Sequence, residues 1–358
     1  MLRALRLLAI APLLATAGWE TVVAPPALHF PRDHGAHPAF RIEWWYVTGR
    51  LTEPGGRWYG FQLTFFRQGL DPGPSVPGES TLRARQVLAA HLAVGDVSSG
   101  RTRLAERVRR VAGGLAGAST GDLDLFLENW TMRRTPEGTI VIAASDRGTA
   151  TDLRLELTPA KPLVLHGEGG LSPKGPAPGT ASVYLSWTRL DVRGTLAIDG
   201  RAVQAQGHAW FDHEWGTSQL GFDVAGWDWF GLRLADGRDV MLYRLRREDG
   251  SAASESAGTL VEPDGSLRHL TAADFKLEAK TWWTSPRTGA RYPATFHVTV
   301  PLAGLDAEVR PLIPDSELDA RGSTGTVYWE GPVAVAGSAP GEGYAELTGY
   351  AASMAGRF

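Results

Sequence analysis

Two strings of this chain put ionisable groups among indoles. One is Gly207-His208-Ala209-Trp210-Phe211-Asp212-His213-Glu214-Trp215-Gly216, and the other is Glu43-Trp44-Trp45-Tyr46-Val47-Thr48-Gly49. In an extended strand, side chains alternate between faces. His208, Trp210, Asp212 and Glu214 then share one face, and Ala209, Phe211, His213 and Trp215 share the other. A carboxyl pressed against tryptophan loses the solvation of its charged form, so its pKa rises and it can hold a proton near neutrality. With an imidazole beside it, such a face can carry general acid and base chemistry if it points into a barrel.

Each string has competing readings. Asp212 and Glu214 can instead pair with arginine or cap backbone at a barrel mouth. His208, Asp212 and Glu214 together offer one nitrogen and two oxygens to a zinc or iron ion, although no other strong ligand pattern accompanies them, and no metal or other cofactor is expected. Glu43 shares a face with Trp45, while Trp44 and Tyr46 take the other. Glu43 is a second candidate acid, but a structural role is the stronger reading, with tryptophan and Arg67 closing a barrel end. In Gly226-Trp227-Asp228-Trp229-Phe230, Asp228 faces away from both indoles in a regular strand. Its role is either catalytic or that of a turn or bridging acid. Trp44, Trp45, Tyr46, Trp210, Trp215, Trp227 and Trp229 are the candidate walls of an apolar binding site.

Other chemistries find little support. No Gly-x-Ser-x-Gly elbow, phosphate loop or dinucleotide fingerprint is present. The net charge is −3 with no basic stripe, which argues against nucleic acid. There is no cysteine, so disulfides and thiol-based sites are excluded.

The elements that must position these residues read as nearly all β. The 43 glycines and 23 prolines favour short strands and turns. Strands are expected at Ile42 to Leu51, Trp58 to Arg67, Val87 to Val94, Asp122 to Trp130, Thr139 to Ala144 and Leu153 to Leu157. Arg101 to Leu115 is the one expected helix. Residues 1–17 read as a signal peptide, with a basic start, an apolar run from Leu7 to Leu14 and a cleavage pattern at Ala15-Thr16-Ala17. Residues 18–40 read as extended. An internal repeat follows: Trp44-Trp45-Tyr46, Gly49, Leu51 and Arg67 are echoed about 180 residues on by Trp227, Trp229-Phe230, Leu234 and Arg246. Val183-Tyr184 and Gly194-Thr195 are echoed by Val327-Tyr328 and Gly337-Ser338. The repeat divides the chain into two antiparallel barrels, one over 41–217 and one over 222–352.

Seven strings together resemble the AttH/CrtC family, the double-lipocalin group that contains carotenoid 1,2-hydratase. They are Phe30-Pro31-Arg32-Asp33-His34-Gly35, the Glu43 string, Gln62-Leu63-Thr64-Phe65-Phe66-Arg67, Asp212-His213-Glu214-Trp215-Gly216, Gly226-Trp227-Asp228-Trp229-Phe230, Tyr328-Trp329-Glu330-Gly331 and Gly343-Tyr344 to Gly349-Tyr350. The resemblance runs from about residue 28 to 351. It implies two tandem lipocalin-like barrels and a secreted or periplasmic protein holding a long apolar ligand, an isoprenoid or lipid. Two activities are compatible with it. In a hydro-lyase, Asp212 or Glu214 would protonate an alkene, the indoles would face the cation, and His208 or His213 would handle water inside a barrel. In a carrier, the same pocket would ferry the ligand, with an ABC-type exporter as partner.

Overall fold

The computed structural model describes residues 18–73, 78, 80, 83–218, 220–221 and 223–356. The expected signal peptide lies outside them. Among the described residues, no helix is long and apolar enough to cross a membrane.

The chain folds as two tandem, lipocalin-like antiparallel barrels. Among the described residues, the first sheet has 13 strands and runs from Ile42–Thr52 to Arg201–Gly216; the second has 10 and runs from Val224–Leu234 to Gly341–Leu347. In each sheet the opening strand pairs with the closing one. Ile42–Thr52 lies between Trp58–Gly69 and Arg201–Gly216. Val224–Leu234 lies between Asp239–Arg247 and Gly341–Leu347. The internal echo is therefore a shared topology. Gly194 and Gly337 hold the same place in it, with φ of 154° and 144°. At each, a side chain would run into the carbonyl of the neighbouring strand, Arg154 or Asp306.

Strand alternation sorts the residues. Trp45, Val47, Leu51, Phe61, Leu63, Phe65 and Leu155 point inward and fill the first barrel, all fully buried. Phe230, Leu232, Leu242, Phe296 and Val298 do the same in the second. Each buried Leu or Phe contributes about 1.5–3 kcal/mol. The outward faces of the two opening strands meet each other. Tyr46, Tyr184, Trp210, Trp229, Tyr243 and Tyr344 form an aromatic cluster between the barrels.

Two local expectations are corrected. Arg101–Arg110 is a strand, not a helix. It is an edge strand of the first sheet, where the exposed Arg101, Arg109 and Arg110 discourage further pairing. Helix propensity yields there to sheet context. The expected strand from Asp122 to Trp130 is two, Asp124–Leu127 and Trp130–Arg134, separated by a turn at Glu128 with φ of 56°. Residues 18–40 lack regular strand but are not simply extended. They include a 3-10 turn at Arg32–His34 and fold over one end of the first barrel. There His34 accepts the Trp45 indole N–H through its carbonyl at 3.1 Å.

Candidate functional site

The strand Arg201–Gly216 separates two polar clusters. On its inner side His213 meets Glu43. The Glu43 carboxylate accepts Arg67 Nε at 2.7 Å, the His37 backbone N–H at 2.9 Å, His37 Nδ1 at 2.7 Å and His213 Nε2 at 2.9 Å. Trp215 stacks on His37 with ring centres 3.7 Å apart, and Trp45 stacks on His213 at 4.9 Å. Burial alone would raise the Glu43 pKa. The His213 and His37 hydrogen bonds and the Arg67 charge outweigh it and hold the carboxyl far below the usual range. Burial keeps His213 neutral, its pKa lowered to about 4 against the raising effect of Glu43.

His37, Glu43 and His213 are close enough to share a metal ion. The donor set argues otherwise. Four donors already occupy the carboxylate, and one of them is a fully buried guanidinium supplying the positive charge. The three-residue set His208, Asp212 and Glu214 does not assemble. His208 is half-buried beside Asp191, with Nδ1 3.2 Å from its carboxylate, and does not line the cavity described below.

The second barrel closes in a parallel way. Asp228 stands directly across from Arg244, as Glu43 does from Arg67. Its carboxylate binds Arg244 at 2.6 Å, Arg246 at 3.2 Å and the Tyr350 hydroxyl at 2.8 Å. Asp228 does face away from both indoles, and it is consumed by this network.

On the outer side of the same strand, Trp210, Asp212 and Glu214 face the second barrel. Asp212 and Glu214, with Trp44, Tyr46, Tyr184, Trp227, Trp229 and Tyr243, border a cavity of about 430 Å³ between the barrels. The face bearing Asp212 and Glu214 thus points between the barrels and not into one. The interiors are packed with apolar side chains, and the inter-barrel face holds the open space. Of the expected walls, Trp44, Tyr46, Trp227 and Trp229 line it. Trp210 stands behind Asp212. Trp45 and Trp215 belong to the other side of the sheet.

Asp212 is the unusual group in the cavity. Trp210 Nε1–H donates to its Oδ1 at 2.6 Å, and the Ser186 hydroxyl donates to the same oxygen. Tyr184 donates to Oδ2 at 2.8 Å and itself accepts the Trp229 indole N–H at 3.0 Å. That accounting leaves a lone pair of Oδ2 for a proton or a ligand. No cationic side chain pairs with Asp212 among the described residues. Burial therefore dominates over the three donors and lifts its pKa to about 7. Ser186 is backed by His166 Nε2 at 2.7 Å, whose Nδ1 meets Thr259 of the second barrel at 2.8 Å. Burial keeps that imidazole neutral, so Nε2–H donates to Ser186 and Nδ1 accepts from Thr259.

Glu214, two residues on, is different. Lys174 Nζ lies 3.1 Å from it, and Ser182 donates to it. Burial disfavours the ammonium, but Glu214 and Tyr243 more than offset this and raise the Lys174 pKa. Across the cavity stands Glu346, held at 3.2 Å by the Trp227 indole and, among the described residues, without a cation. Burial pushes it up to about 7, with Asp212 and Glu214 adding repulsion. His91 also borders the cavity, bonded to Tyr328 at 2.8 Å and Ser323 at 2.9 Å, and burial holds its pKa near 3.

Glu346, Lys174, Tyr184, Ser186 and His166 were not singled out in the sequence. Glu346 lies within the closing string Gly343-Tyr344 to Gly349-Tyr350, where the pattern spoke only of barrel closure.

The profile of the AttH-like family matches residues 21–350. No curated protein matches the chain. Among solved structures, a protein from Nitrosomonas europaea assigned as AttH is 37% identical, covering 92% of this chain and 99% of its own, with a TM-score of 0.82. Kievitone hydratase from Nectria haematococca is 13% identical and covers 94% of this chain and 97% of its own, with a TM-score of 0.70. The second likeness concerns the fold.

Proposed function

The chain belongs to the AttH-like family, and from that premise we propose that it adds water to an alkene of an apolar ligand held between its barrels, with Asp212 as proton donor. The observation carrying this reading is a buried carboxyl with no counter-cation, protonated near neutrality and bordering an indole-walled cavity. A hydratase on the same fold supports it by analogy alone.

The chemistry balances within the cavity. The Asp212 proton passes to one alkene carbon, and the π electrons form the new C–H bond. The adjacent carbon becomes a cation, which the π faces of Trp44, Trp227 and Trp229 stabilise. A water oxygen then bonds to that carbon and releases a proton to the ionised carboxylate of Glu346 on the opposite wall, which becomes protonated while Asp212 is left ionised. Transfer of that proton back to Asp212 restores the enzyme, for a net addition of one water. These roles replace those expected for His208 and His213, neither of which borders the cavity. The apolar lining suits an isoprenoid or lipid chain. The basic and apolar pattern of residues 1–17 supports secretion, in which case the reaction runs in the periplasm or outside the cell.

Mass spectrometry of apolar compounds that co-purify with the wild type and with Asp212→Asn tests this. The variant should hold an alkene, and the wild type should hold the same compound heavier by one water. One unchanged compound in both proteins would make the chain a carrier, and an ABC-type exporter would then be the partner to seek.

A further inference from the structure

One polar patch of the cavity takes no part in that chemistry. Gln62 borders the cavity and is 1% exposed. Its Nε2 donates to Thr64 Oγ1 at 3.0 Å and to the Tyr328 hydroxyl at 3.4 Å, while its Oε1 has no partner. Turning the amide over exchanges the two atoms and leaves the other one unsatisfied. Glu330 lies two residues from Tyr328 on the same face of Thr326–Gly337 and is also 1% exposed. Its Oε1 accepts the Tyr46 hydroxyl, and its Oε2 has no partner. Tyr46 and Tyr328, the residues that link these two groups to the cavity, both line it. Unpaired buried polar atoms are uncommon in folded proteins and call for a reason.

The end of this region is packed shut. A side chain at Gly60 would strike Pro332 and the Tyr344 hydroxyl, and one at Gly231 would strike the Trp229 and Trp210 rings. A ligand chain entering between the barrels therefore stops against a polar wall. The wall bears carboxyls, Glu330 facing Glu346 across adjacent strands, while the cavity's Lys174 is already paired with Glu214. An anionic head group would meet repulsion there. Burial and the neighbouring Glu346 push the Glu330 pKa far up, which favours the protonated carboxyl, and in that form it offers a donor. Gln62 Oε1 offers an acceptor.

We infer that Gln62 and Glu330 form a binding station for a hydroxyl group, so that the ligand is a hydroxyl-bearing apolar molecule and not a bare hydrocarbon. One hydroxyl accepts from Glu330 and donates to Gln62, satisfying both groups at once. This rests on the reading of the inter-barrel cavity as the ligand site, but not on turnover.

Farnesol and β-farnesene test it, as isoprenoid chains with and without the hydroxyl. Quenching of tryptophan fluorescence in the purified mature protein gives the affinity of each. The wild type should bind farnesol at least about tenfold more tightly, the lower part of the range for satisfying a buried polar group. Gln62→Met should cut that preference below about threefold while leaving farnesene affinity unchanged. Glu330→Met should do the same, and it serves if the first variant does not fold. Equal affinities in the wild type, no saturable binding of either probe, or a preference kept by both variants would each overturn the inference. Equal affinities with an ordered water between Gln62 and Glu330 in a ligand-free crystal would assign the station to that water. A farnesol preference without hydration of either probe would leave the station standing and count against the hydratase.

Discussion

His213 and Asp212 are consecutive residues on one strand, and the two sides of the sheet treat their acids in opposite ways. On the inner side, Glu43 is surrounded by Arg67, His37 and His213 and stays ionised. On the outer side, Asp212 has three neutral donors and, among the described residues, no cation, and it keeps its proton to about pH 7. Both carboxyls are buried and both accept several hydrogen bonds. What separates them is the charge of the donors. A guanidinium repays the desolvation of a carboxylate, whereas a hydroxyl and an indole N–H do so only in part. The paired acid holds the barrel end, and the unpaired one is available for proton transfer.

The largest expected effect falls on the paired side. Glu43→Gln strands a fully buried Arg67, and the loss in urea unfolding at pH 7 should approach the upper part of the roughly 3–5 kcal/mol range for broken buried pairs. The loss should shrink in acid. The Glu43 pKa is depressed, so its contribution is present above its unfolded value of 4.5 and fades as pH falls through the folded one. A loss below about 1 kcal/mol would break the contrast.

The unpaired side should answer in rate. Asp212→Asn keeps the shape and removes the proton, so turnover of the ligand identified by mass spectrometry should drop at least about a hundredfold. Wild-type turnover should decline above about pH 7 as Asp212 ionises. Rates of wild type and variant within a factor of about three would remove Asp212 from the mechanism.

Asp228→Asn probes the second barrel's counterpart of Glu43. Arg244 and Arg246 keep some exposure, at 20% and 11%, so thermal unfolding should report a smaller loss, about 2 kcal/mol. Ligand affinity should be unchanged, and a large change in it would link barrel closure to the cavity. The smallest effect belongs to His208→Ala, where the Asp191 partner is mostly exposed; unfolding should shift by less than about 0.5 kcal/mol.

Much of this was legible in the residues. Alternation placed Trp210, Asp212 and Glu214 on one face and turned Asp228 away from its flanking indoles, because a strand's period of two leaves no other choice. Arg67 as a closing residue of the barrel end was also readable, although the structure pairs it with Glu43 where tryptophan was the expected partner. Period alone does not say which face of a sheet meets what. Trp45, Val47 and Phe65 fill the barrel, so the polar face had to look outward, toward a second barrel whose docking the local sequence does not encode. Glu346, Lys174 and His166 reach the site only through pairings and packing far along the chain. Arg101–Arg110 misled for the opposite reason: its composition suits a helix, but its place at the sheet edge decides its structure.

The most direct test of the two-sided strand is the difference in unfolding free energy between Asp212→Asn and wild type, measured in urea from pH 4 to pH 8. Asp212 has a folded pKa raised above its unfolded 3.8, so its favourable share is present below that value and is lost as pH rises toward 7. The difference should therefore move in favour of the variant from about pH 4 to about pH 7 and then level off, by an amount on the order of 4 kcal/mol. A difference that stays flat, or that moves in favour of the wild type, would mean that Asp212 is ionised in the folded protein like Glu43, and would contradict the account.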